Sequence, residues 1–302
     1  MSLFKATQLS NQEWDTHLLL KYALEHARNR RTVRGVRELL GHRAAIELAA
    51  VNWRARERFG RALCDRVSAQ FNLAPPAWHS SMPTWFFTLV DQSCNTDDDA
   101  DVSLDVVHRF KRFLRRGLQG LHYVGMLEPA LYVNVYRRGP NGKKSFISWH
   151  VHGICWGADS KEIRRRVKAM NSDKYAYRPV IGELTGAHCR RIPRGHLPDK
   201  LRYMLKAPRK EYRVYKSRGS EAEGTEPRFR QRKQTLRPGN RIKLFHLLKR
   251  LHLDGLALAG GDGVRLLKET KQTALYEYTR HEAEDRARRA WNLRRSKARH
   301  RI

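Results

Sequence analysis

Acidic residues are scarce in this chain: 30 Asp and Glu stand against 61 Lys and Arg in 302 residues, a formal charge of +31. Such an excess repels itself unless a polyanion neutralises it, and nucleic acid is the default polyanion. An anionic membrane surface is the competing partner, but the sequence offers neither an apolar run long enough to span a bilayer nor a lipidation motif. Cysteine is sparse too. Cys64, Cys94, Cys155 and Cys189 lie far apart with no CxxC pair, which argues against a disulfide framework or a zinc ribbon and for reduced thiols in the cytoplasm. The opening MSLFKATQLSNQEW lacks the basic-then-apolar pattern of a signal peptide, so export is not expected. The sequence holds no GxxxxGK[ST]; the turn Gly139 to Lys144 carries Gly-Lys alone, so no Walker A loop is expected.

What is present suffices for a folded core, at 40% hydrophobic residues. Residues 11 to about 76 read as helix, with apolar positions every three or four residues (Leu18, Tyr22, Leu24; Ile46, Leu48, Val51) and arginine on the remaining faces, ending at Ala74-Pro75-Pro76. Trp85 to Val90 is a strand by propensity. After the acidic run Asp97 to Asp101, the stripe Leu104, Val107, Phe110, Leu114 and Leu118 predicts an amphipathic helix with negative charge at its N-terminus. Two strands follow, HYVGMLEPALYVNVY and SFISWHVHGICW, flanking a turn whose Asn141-Gly142 is a hairpin signal. Next come a helix from Asp159 to Met170 with capping-box spacing at Asp159 and Glu162, a strand around Tyr175 to Ile181, a Gly- and Arg-containing loop, and a helix from Pro198 that must stop before Pro208. The segment from Arg209 is polar enough to be expected as a mobile basic loop. Beyond it lie a helical stretch from Arg241 and a cationic tail with Trp291 available for stacking.

The chemistry concentrates in the second strand of the pair. His150 and His152 are separated by Val151 alone, so in a β-strand both imidazoles project from one face, close enough to grip a common ion. Alone, that spacing fits a solvated sheet face equally well. Downstream, Tyr203 and Lys206 stand at i and i+3 of the expected helix DKLRYMLKAP and share a side of it.

Taken in order, WFFTLV, WHVHG and YMLK resemble the motif set of the rolling-circle replication initiators of the HUH endonuclease superfamily: a TLT-like strand, a His-hydrophobic-His strand and a YxxK helix. The first motif matches loosely and the other two well. The resemblance covers about residues 80 to 210. The element order itself predicts an α+β fold, a mostly antiparallel central sheet with helices on one face in a split-βαβ arrangement; the resemblance implies that this is the RRM-like HUH fold, and the basic helical regions flanking it lie outside the resemblance. The resemblance further implies Tyr203 as a nucleophile that nicks single-stranded DNA through a 5′-phosphotyrosine, Lys206 as an electrostatic helper, and Mg²⁺ or Mn²⁺ held by His150 and His152. The family's third ligand is acidic, and Glu128 is the candidate. A two-residue turn at Asn141-Gly142 would set Glu128 opposite Cys155, facing away from the histidines, whereas an odd loop or a bulge would bring it to the metal side. Tyr212 and Tyr215 compete with Tyr203 for the nucleophile's role. Zinc held by His150, His152, Cys155 and His188 or Cys189 is the structural-metal alternative.

The expected organisation is a basic helical region at 1–79, an HUH-type catalytic domain at 80–210, and a basic linker, helical subdomain and cationic tail at 211–302. The expected function is initiation of rolling-circle DNA replication on a plasmid or phage origin by a cytoplasmic nickase, with helicase and polymerase supplied by the host because no Walker A loop is present. A relaxase or transposase using the same chemistry and a non-catalytic RRM-like nucleic-acid binder are the rival readings. WHVHG lacks the third histidine typical of relaxases.

Overall fold

A computed structural model describes residues 3–27, 39–41, 47–72, 83–99, 104–134, 145–180, 184–193, 196–216 and 229–276, with single positions at 280, 283 and 287. The expected turn at Asn141-Gly142, the Ala74-Pro75-Pro76 terminus and the tail bearing Trp291 lie outside these residues. The elements run α1 (Leu3–Glu25), α2 (Trp53–Asn72), β1 (Trp85–Asp97), α3 (Leu104–Gly117), β2 (His122–Val133), β3 (Ser145–Trp156), α4 (Ser160–Asn171), β4 (Ala187–Arg191), α5 (Leu197–Leu205), β5 (Lys210–Lys216), β6 (Phe229–Thr235), α6 (Pro238–Leu248), α7 (Leu253–Leu256), β7 (Ala257–Gly260) and α8 (263–276). No helix among them is long and apolar enough to cross a membrane.

The fold is α+β, built on one sheet in the order β4-β1-β3-β2-β5-β6, with β7 also paired to β2. Strands β1, β3 and β2 are successive antiparallel neighbours, and β4 is antiparallel to β1. The β1-α3-β2 and β3-α4-β4 units therefore interleave, each inserting one strand between the other's two. β5 runs parallel to β2. The sheet is thus mixed, antiparallel throughout its described pairs except for β2 and β5, in keeping with the mostly antiparallel sheet expected.

Helices cover both faces of the sheet, which corrects the expectation of one covered face. Phe87 and Leu89 point to the side where Ile163, Val167 and Met170 of α4 pack, above a core that includes Phe110, Leu114 and Leu118. The alternate residues Phe86 and Thr88 point to the other side, beneath α5, where Phe86 meets Tyr203 edge-on. α5 is backed by α2, and α1 packs on α2 and α6. This second layer explains why eleven of the twelve residues of β3, all but Ser145, are buried: the strand is covered front and back. Gly153 permits the tightest approach in it. A Cβ there would lie 2.2 Å from Cζ of Phe87, its cross-strand partner, and 2.7 Å from the Val124 carbonyl oxygen.

Local chemistry sets the helix ends as the sequence implies. The Asp159 carboxylate accepts the Glu162 N–H at 2.8 Å, a cap typically worth about 1 kcal/mol. Glu162 does not return the bond; its side chain is taken by Arg165 and Arg166. Asp98 of the acidic run accepts from Ser145 Oγ at 2.8 Å and pairs with Lys243 of α6, tying the end of β1 to the C-terminal elements.

Two sequence expectations fail here. Tyr175 to Val180 is not a strand; the fourth strand is β4, inside the stretch read as a loop. Asp173 explains why, since its Oδ1 accepts the N–H groups of Tyr175 and Ala176 at 2.8 and 3.0 Å and turns the chain. Tyr177 then buries its ring with positive φ and donates its hydroxyl to the Phe113 carbonyl at 2.6 Å. The polar segment after Arg209 is not a loop throughout, because it forms the hairpin strands β5 and β6. Tyr212 and Val214 alternate onto one face against Ala130, Tyr132 and Phe146. Glu211 is fully buried and accepts from Gln234 Nε2 and Asn240 Nδ2, both at 2.6 Å, and from the Arg237 N–H at 3.2 Å.

Candidate metal and nucleophile site

The β2–β3 register decides where Glu128 lies. It pairs with His150, and Met126 pairs with His152. The ladder runs to Val133 opposite Ser145, in a register that differs from the one a two-residue turn at Asn141-Gly142 would set. The register in which Glu128 opposes Cys155 is therefore wrong. Glu128 shares a face with both histidines, since directly opposed residues in an antiparallel pair project to the same side.

Its Oε2 lies 3.7 Å from His150 Nε2 and 3.9 Å from His152 Nε2, and one donor atom from each of the three residues falls within 4.8 Å of the others. Donors sharing an ion at about 2.1 Å stand at most about 4.2 Å apart, so the carboxylate and both imidazoles fit one divalent cation nearly as they stand. A second partner already engages each ring. Thr88 Oγ1 lies 2.8 Å from His152 Nδ1, and the Ser148 backbone hydrogen-bonds His150. The Thr88 contact fixes the His152 ring and leaves its Nε2 free to ligate.

Both imidazoles are held below their ordinary pKa. Burial is the main cause for each; the neighbouring Glu128 carboxylate partly offsets it at His150, and the charges of His150, Lys206 and Lys233 add to it at His152. Neutral imidazole is the form that binds a metal.

α5 carries the remaining groups. Pro198 sits in its first turn, Leu201, Met204 and Leu205 pack inward, and Lys206 caps the end in an extended conformation ahead of Pro208. Tyr203 is left 38% exposed with its ring edge-on to His152, centroids 5.1 Å apart. The Lys206 ammonium lies 3.7 Å from the Tyr203 ring centroid and 3.3 Å from Glu128 Oε2. All five residues line one shallow cleft, with Arg209, Lys210, Tyr212 and Lys233 on its far wall.

The competing candidates are placed differently. Cys155 occupies the opposite face of β3 and hydrogen-bonds Cys189, a contact that with burial pushes its thiol well up in pKa. It cannot join the histidines on an ion, so the zinc set is not assembled. Tyr212 lines the cleft but stacks on Tyr132 at 4.9 Å, and burial pushes its phenol up to about 12. Tyr215, an odd number of residues from Tyr212, alternates to the other face of β5. Sequence reasoning gave Thr88 no individual role beyond its strand motif, and missed Phe86, whose ring stacks on His152 with centroids 5.6 Å apart.

No protein-family model, curated protein or solved structure matches the chain.

Proposed function

We propose that this chain is a metal-dependent DNA nickase and joining enzyme of the HUH type, acting on single-stranded DNA to initiate rolling-circle replication of a plasmid or phage. One observation carries the reading: Glu128, His150 and His152 converge in a single cleft with a tyrosine and a lysine from the helix above it. The strand order β4-β1-β3-β2, with helices between β1 and β2 and between β3 and β4, supports the RRM-like HUH arrangement that the motifs imply.

The chain's own groups divide the work. His150, His152 and Glu128 would hold Mg²⁺ or Mn²⁺, which when bound supplies Lewis-acid neutralisation of the non-bridging phosphate oxygens. Thr88 holds the His152 ring in orientation. Tyr203 presents its phenolic oxygen to the phosphorus; the P–O3′ bond breaks as the phenol–phosphorus bond forms, the phenolic proton passes to solvent, and the departing 3′ oxygen takes up a proton. The products are a 5′-phosphotyrosine and a 3′-OH that can prime synthesis. Lys206 places its ammonium beside the phenol, where it can donate to a phosphate oxygen or to the leaving oxygen. The phosphodiester is exchanged rather than hydrolysed, so the reverse attack by a 3′-OH rejoins ends. Duplex unwinding and DNA synthesis fall to host helicase and polymerase.

The test incubates the chain with Mn²⁺ and end-labelled single-stranded origin fragments, and resolves the products on denaturing gels. The expected result is a labelled protein band when the label lies on the strand 3′ of the nick, absent for Tyr203→Phe. Equal behaviour of wild type and Tyr203→Phe overturns the assignment and leaves a non-catalytic nucleic-acid binder.

A further inference from the structure

The far wall of the cleft contains groups that the nicking step does not use. On the histidine-bearing face of the sheet, one row of paired positions crosses four strands: Phe146 with Tyr132, Tyr132 with Tyr212, and Tyr212 with Lys233. Its three rings stack in series, at 5.3 Å and 3° and then at 4.9 Å and 12°, and Lys233 Nζ ends the row 5.5 Å from the Tyr212 ring. This stack fixes the β5–β6 hairpin against β2, and so fixes the position of its cations. Lys233 stands near enough for its charge to act on both His150 and His152. Arg209 and Lys210 line the cleft from the start of the hairpin, where Lys210 Nζ donates to the neutral Thr235 hydroxyl at 3.2 Å.

These three charges have only partial local compensation, since the buried Glu13 carboxylate acts on Arg209. Among the described residues Glu128 is the one carboxylate lining the cleft, and it is engaged by Lys206. Glu211 of the hairpin is fully buried and engaged by Gln234, Asn240 and the Arg237 N–H. Cations held in a row beside a buried floor, with an aromatic edge between them, suit a polyanion that also offers flat rings. The floor is buried, with His150 and His152 8% and 7% exposed, and is walled by α5 on one side and the hairpin on the other. That shape admits one strand, since a duplex rod could not bring a phosphate down to the histidines.

We infer that the β5–β6 hairpin is a strand-binding wall, in which Arg209, Lys210 and Lys233 take the phosphate next to the one presented to Tyr203 and the half-buried Tyr212 ring adjoins the neighbouring base. The inference rests on the nickase reading for the position of the scissile phosphate, but the binding it describes needs neither metal nor chemistry. The test therefore measures binding in EDTA, by fluorescence anisotropy of a short 5′-fluorescein oligothymidylate over a range of salt. Arg209→Gln/Lys233→Gln is compared with wild type and with Lys161→Gln/Lys168→Gln, which removes the same charge from exposed positions on α4. Each lost contact to a single-stranded phosphate lowers the salt slope by about 0.7, so the hairpin pair is expected to lower it by about 1.4 and to weaken binding on the order of tenfold near 0.1 M salt, while the α4 pair keeps the wild-type slope. Equal slopes for the two double variants, or unchanged binding by the hairpin pair, overturn the inference. The same loss of slope on a duplex of matching length overturns the single-strand assignment. A Tyr203 adduct that fails to form while the slope change is seen counts against the nickase reading and not against the wall.

Discussion

Replacing Arg56 with Met removes half of an internal brace on which the position of α5 depends. Arg56 is buried in α2, donating Nε to the Ala50 carbonyl at 2.6 Å and Nη1 to the Leu205 carbonyl at 3.3 Å. Glu13 of α1, 1% exposed, accepts the Ala207 N–H at 2.9 Å. The two side chains thus grip the residues on either side of Lys206, and their charges act on each other. Burial raises the Glu13 carboxyl above its ordinary value of 4.5, although Arg56 opposes the rise. A carboxyl raised in the folded state binds more protons there than when unfolded. Its contribution to stability is greatest below pH 4.5 and is lost as pH rises through the folded value.

Arg56→Met takes away the opposing charge, moves the folded value higher and enlarges that loss. Leaving a buried charge uncompensated typically costs about 3–5 kcal/mol. With a urea dependence of roughly 3 kcal/mol per M for a chain of this size, the midpoint at pH 7.5 should fall by about 1–1.7 M. The deficit should shrink as pH is lowered toward 4.5, and Glu13→Gln, which keeps an oxygen for the Ala207 N–H, should restore much of the stability in the double variant. Urea unfolding followed by circular dichroism between pH 4.5 and 8 measures all three. A deficit constant with pH, or a double variant no more stable than Arg56→Met, would refute the electrostatic account.

Thr88→Val should weaken Mn²⁺ binding by about 10- to 100-fold through the loss of the bond to His152 Nδ1, as isothermal titration would register, with little change in melting temperature. Gly153→Ala should destabilise the protein by about 1–3 kcal/mol in urea unfolding, because the added methyl meets the Phe87 ring and a carbonyl oxygen that cannot both retreat. Glu211→Ala should raise amide exchange across Phe229–Thr235 well above that of β3, since three donors lose their buried acceptor at once; unchanged protection there would show that the stacked rings alone hold the hairpin.

What the sequence revealed was local. The shared face of His150 and His152 follows from period two, and Asp159 and Pro208 mark helix ends through bonds and sterics within a few residues. Glu128 depended on register: its pairing with His150 is not the one that the Asn141-Gly142 signal implies, and a slip of one residue would have reversed its face. The β5–β6 hairpin was hidden by composition, because KEYRVYK is mostly polar and its strand character rests on Tyr212 and Val214 finding Tyr132 and Phe146 across the sheet. Thr88 stood in view within WFFTLV, yet its partner lies 64 positions away on β3. Tyr177 was misread for the opposite reason: a β-prone side chain was drawn into a turn by Asp173 and a buried hydroxyl bond.

The claim that Glu128, His150 and His152 form a cation site is tested most directly by electron paramagnetic resonance of Mn²⁺ titrated into the protein, with the spin-echo modulation of nitrogen resolved. One tightly held ion per chain, coupled to imidazole nitrogen and lost in a folded His150→Ala/His152→Ala variant, is the predicted result. Mn²⁺ held with the same affinity by that variant, or without nitrogen coupling in the wild type, would contradict it.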